Sequence, residues 1–117
     1  MPWNELEFVS WRQFHTMAPS ILRLEISRLG DLIRRSGANL DLRNALVRSR
    51  YQLLSFLVEI DKCDDGQLSS EAKERLEAAI VNLPLDLAES ESEFHSSLRY
   101  ILDRLRTVQK RIDFIYV

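Results

Sequence analysis

Apolar residues recur at helical spacing along the whole chain, in segments set off by glycine, proline or serine. The first segment, residues 4–17, predicts a helix with Asn4 as N-cap. Trp3, Leu6, Phe14 and Met17 share one face, and Trp11 lies beside it. Pro19 suits the first turn of a new helix better than the interior of one, so a second helix is expected over 20–36. Its apolar arc is Ile21, Leu22, Ile26, Leu29, Leu32 and Ile33, with Arg23, Ser27, Asp31 and Arg34 opposite, and Gly37 is placed to stop it. Gly30 interrupts this helix at a cost of about 1 kcal/mol relative to alanine. It reads either as a point of close approach or as a tolerated weakness.

A third helix, 40–61, capped by Asn39 or Asp41, is apolar over most of its circumference. Such a helix is expected at the centre of a fold. Arg43 and Arg50 nevertheless fall within its apolar arc. Either their stems cover the core edge while their heads reach water or an acid of the same chain, or they form a recessed site for a carboxylate or phosphate. The fourth helix, 70–83, starts at Ser69 or Ser70 and ends at Pro84.

The last helix, 90–115, starts where Ser90 and Glu93 have the spacing of a capping box. Phe94, Leu98, Ile101, Leu105, Val108, Ile112 and Ile115 then follow a 4-3-4-3-4-3 spacing. This heptad seam suits left-handed supercoiled packing. Arg104 and Arg111 flank it at g, facing no complementary acids at e, so an antiparallel bundle within one chain is favoured over a parallel coiled coil. Tyr100, Phe114 and Tyr116, expected at the surface, keep a homodimer through this helix open. The expectation is an all-α, single-domain bundle of about five helices.

Composition agrees. Of 117 residues only three are glycine and three proline, too few for the turns of a β-sandwich or barrel. A hydrophobic share of 45% argues against disorder. No run of 18 apolar residues offers a membrane span, no signal-peptide stretch marks the first twenty residues, and Cys63 is the single cysteine. Cytoplasm is the expected location.

The net charge of −2 conceals segregation: residues 12–50 carry +5, 59–93 carry −8 and 94–117 carry +3. Thirteen of the sixteen basic residues are arginine, suited to carboxylate and phosphate contacts. Such blocks could steer a charged partner, but the favoured reading is that basic and acidic helices of one bundle face each other.

Residues 61–72 resemble an EF-hand calcium loop, with Asp61, Asp65, Gly66, Leu68 and Ser69 at positions 1, 5, 6, 8 and 9. Cys63 stands at position 3, however, and Ala72 replaces the bidentate glutamate of position 12. The segment therefore reads as an Asp-Gly turn between helices. Cys63 among Asp61, Asp64 and Asp65 lacks the electropositive surroundings of a reactive thiol. His15 and His95 have no metal-ligand spacing. Phosphate-binding glycine loops, zinc-protease helices and nucleophile elbows are missing from the sequence. No catalytic residue, metal or cofactor is expected.

The functional expectation is a small non-enzymatic protein–protein interaction module: an adaptor, a regulatory subunit or an inhibitor of a partner protein. It would present an arginine-bearing face or the aromatic N-terminal helix, with Trp3, Trp11, Arg43, Arg50, Arg104 and Arg111 as interface candidates. The alternative is nucleic-acid binding through the arginine-rich helices, against which stands the acidic pI near 5.7.

Overall fold

The computed structural model describes residues 11–62, 68–88 and 92–115, with side-chain surroundings for 14–62, 68–88 and 92–113. Among these residues the structure is helices joined by short turns, with no strand: α1 Trp11–Arg35, α2 Leu40–Lys62, α3 Ser70–Val81, a 3-10 turn Leu85–Leu87, and α4 Glu93–Ile115. None of these helices is long and apolar enough to cross a membrane.

Four α-helices replace the expected five, because the predicted break at Pro19 does not occur. Proline in a helix removes one backbone hydrogen bond and crowds the preceding turn, at a cost of about 3 kcal/mol. Burial outweighs that cost here. Phe14, Ala18, Leu22, Ile26 and Leu29 are nearly or fully buried, and their spacing keeps one apolar stripe in phase through the proline. Residues 4–10 of the predicted first helix lie outside the described residues.

The other helix ends follow local chemistry. Gly37 has φ +61, the left-handed conformation that ends α1. Asn39 Oδ1 accepts from the Leu42 amide at 3.2 Å and caps α2. Ser69 Oγ accepts from Ala72 N at 3.1 Å and caps α3. At its other end α3 stops at Asn82, whose side-chain amide donates to Ala78 O at 2.8 Å. Helix α4 starts later than expected, with Ser92 Oγ accepting from His95 N at 3.0 Å.

Each helix lies beside its chain neighbours, and α4 closes the ring by packing on α1. Ascending residue numbers on one helix meet descending numbers on the next: Ser49 meets Ala79 while Gln52 meets Arg75, and Arg104 meets Glu25 while Arg28 lies over Tyr100. The fold is an up-down-up-down four-helix bundle. The α4 seam faces the core, with Leu98, Ile101, Leu105 and Val108 fully buried and Ile112 nearly so. The regularity that left a homodimer through α4 open is used inside the chain, against α1 and α3.

Candidate functional site

One polar layer crosses the bundle at mid-height and touches all four helices. On α2, Ser49 is fully buried and its hydroxyl donates to Ala79 O in the last turn of α3 at 2.7 Å. The next residue, Arg50, donates Nε to Ile26 O of α1 at 3.3 Å. Beside Ile26, Glu25 is wholly buried. Its Oε2 accepts from Arg28 Nη1 at 2.5 Å and from Arg104 Nε of α4 at 3.3 Å. Glu25 Oε1 is buried with no hydrogen-bond partner among the described residues. The guanidiniums of Arg28 and Arg104 lie 4.8 and 5.8 Å from the centre of the Tyr100 ring, within cation–π range.

Burial pushes the Glu25 carboxyl above its ordinary range, and the Arg28 and Arg104 guanidiniums offset only part of that rise. Gly30 lies beside this layer. A Cβ built there would meet Arg50 Nε at 3.6 Å and Arg34 Nη1 at 3.9 Å, ordinary contacts, so this glycine is a tolerated weakness of α1 and not a point of close approach.

Above this layer a groove of about 390 Å³ opens between α1 and the start of α4. Arg28 and Arg35 line it together with Asp31, Glu93 and Ser96. The two signs of charge alternate around it, so it favours neither an anion nor a cation.

The second feature is the outer face of α2. The helix packs on its neighbours more extensively than any other, as its composition predicted, but it is not buried all round, because it carries two apolar stripes back to back. The inner one, including Leu46, Leu53, Phe56 and Ile60, is fully buried. The outer one is Leu40, Val47, Tyr51, Leu54 and Val58, exposed by 64, 45, 62, 37 and 50% respectively. These positions continue the heptad rule, with Asn44 and Asp61 completing a 4-3-4-3-4-3 seam. Arg43, exposed, and Arg50, half-buried, flank it on one side, and exposed Arg48 on the other.

The sequence-based interface candidates scatter. Trp3 lies outside the described residues, and Trp11 begins α1 with its side chain likewise outside them. Arg43 and Arg50 share the α2 flank but form no recessed pair, since Arg50 is held on Ile26 O. Arg104, expected at the surface beside the seam, is 2% exposed and turned onto Glu25, because a buried carboxylate needs a charged partner. Arg111 is half-buried on α4.

Two features escaped the sequence reading. Glu25 falls inside the apolar arc of α1, which signals a buried acid. The 4-3 spacing that marked α4 also runs along α2, where general apolarity masked it. In the calcium-like loop, Ser69 is the cap of α3 and Ala72 is fully buried core, so position 9 serves capping and position 12 packing. Comparison of the chain with family models, curated proteins and solved structures finds no match.

Proposed function

We propose that this chain is a small non-enzymatic protein–protein interaction module that docks a polypeptide on the outer face of α2. One observation carries the reading: five large apolar side chains at heptad spacing stand exposed along a single helix. Taking 150–200 Å² for a fully exposed large side chain, they present roughly 400 Å², at the size where monomer surface patches become functional. Arg43 and Arg48 border the patch and supply guanidiniums to acids of a partner, while Arg50 borders it with its head turned onto Ile26 O. Nucleic-acid binding draws on the same arginines, but Arg28, Arg50 and Arg104 already donate to groups of the bundle itself.

A photo-crosslinking amino acid placed at Val58, and as a control at exposed Arg23 on α1, tests the reading in native extract. Polypeptide adducts are expected at position 58 and are lost when Leu54→Glu is added. Labelling at position 58 no greater than at position 23 refutes it.

A further inference from the structure

Resting on that reading, we infer that the occupant of this face is the α2 helix of a second copy of this chain, laid antiparallel. The outer seam runs Leu40, Asn44, Val47, Tyr51, Leu54, Val58, Asp61. Antiparallel heptad helices stack an a position on a d position of the partner. Placing Tyr51 opposite Leu54 of the second copy also places Val47 opposite Val58, and these layers repeat by symmetry.

The same register brings Asn44 opposite Asp61 of the second copy at both ends of the apolar stretch. The amide donates and the carboxylate accepts, so the polar seam positions satisfy each other. At the flanks Asp41 comes beside Lys62 of the second copy, an ion pair formed twice. The stem of Arg50 lies over Leu57. No like charges meet among the described residues.

The parallel, in-register alternative fails on the same residues. It sets Asp61 against Asp61 within the seam and Arg43 beside Arg48 at the flank, both repulsive. It also aligns the two helix dipoles, whereas the antiparallel pair opposes them. In this register Val47, Tyr51, Leu54 and Val58 supply roughly 600–700 Å² from two copies, and the flanking side chains add to it, which places the pair at the small end of interface sizes, where association is weak and reversible. The inner face of α2 is fully used by α1 and α3, and the outer face lies diametrically opposite, so a second copy approaches without disturbing the bundle.

Sedimentation velocity on the full chain, from micromolar to millimolar concentration, provides the test. A reversible monomer–dimer equilibrium is expected. Val47→Glu combined with Leu54→Glu should raise the dissociation constant about a hundredfold or more, because each dimer then buries four unpaired carboxylates. Far-UV circular dichroism and the thermal midpoint of the monomer should stay unchanged, since both positions are exposed in it. Asn44→Lys reads the orientation. An antiparallel pair tightens about tenfold at low salt, because the introduced ammonium meets Asp61 of the second copy. A parallel pair weakens, because the two ammonium groups meet each other.

A chain that stays monomeric at millimolar concentration overturns the inference. So does a dimer indifferent to the double glutamate variant, or one weakened by Asn44→Lys. If the chain is monomeric while position 58 still crosslinks to other polypeptides, the interaction module stands and the second copy falls. If position 58 captures nothing, both fall.

Discussion

Replacing Arg104 by methionine tests whether the α1–α4 junction depends on a buried charge. Methionine keeps most of the stem volume and deletes the guanidinium that faces Glu25 at 3.3 Å. Glu25 is wholly buried and Arg104 nearly so, and removing one partner of such a pair typically costs 3–5 kcal/mol. Arg28 remains on Glu25 Oε2, though its side chain is 39% exposed and partly screened by water. The expected loss is therefore at the low end, about 3 kcal/mol, out of the 5–15 kcal/mol that a domain of this size holds.

Urea unfolding followed by circular dichroism measures it. The reciprocal variant Glu25→Leu takes the carboxylate away from buried Arg104 and should also destabilise the fold. The double variant should lie within about 1–2 kcal/mol of the wild type, because an apolar contact then replaces the whole pair.

The pH dependence follows from the sign of the Glu25 shift. Its folded-state pKa is raised, so its contribution is fully present below the unfolded value of about 4.3 and is lost as pH rises through the folded one. Without Arg104 the folded value rises further. The deficit of Arg104→Met should therefore be largest at neutral pH and shrink towards pH ~4. A loss below about 1 kcal/mol, strict additivity in the double variant, or a deficit that grows on acidification would refute this account.

Gly30→Ala should stabilise the fold by roughly 0.5–1 kcal/mol, since the added Cβ meets Arg50 Nε at 3.6 Å and Arg34 Nη1 at 3.9 Å, ordinary contacts, and gains helix propensity. A drop in thermal midpoint would mean that Arg50 cannot give way. Ser49→Ala should cost about 1–2 kcal/mol in urea unfolding, because it strips a buried donor from Ala79 O in the last turn of α3; an unchanged midpoint would show that this carbonyl finds another donor. Ser69→Ala should cost about 1 kcal/mol and speed hydrogen exchange at the first amides of α3, Ala72 among them, and unaltered protection there would assign the cap elsewhere.

The class of the fold was legible because helical periodicity is a local property. The stripes on 20–36 and 94–112, the caps at Asn39 and Ser69, and the stop at Gly37 each follow from a few neighbouring residues. Pro19 misled for the same reason. Its local cost is real, but the burial of Phe14 and Ala18 that outweighs it belongs to the packed bundle. Arg104 also misled, since its place beside the seam is the same whether its head meets water or Glu25, and Glu25 is 79 residues away in sequence.

The candidate surface divides the same way. The sequence by itself determined that α2 is apolar over most of its circumference and that Arg43 and Arg50 lie within that arc. Only the tertiary structure decided which stripe enters the core. A helix packed between two neighbours can bury about half its circumference, so the second stripe of α2, Leu40 to Val58, is left facing outward.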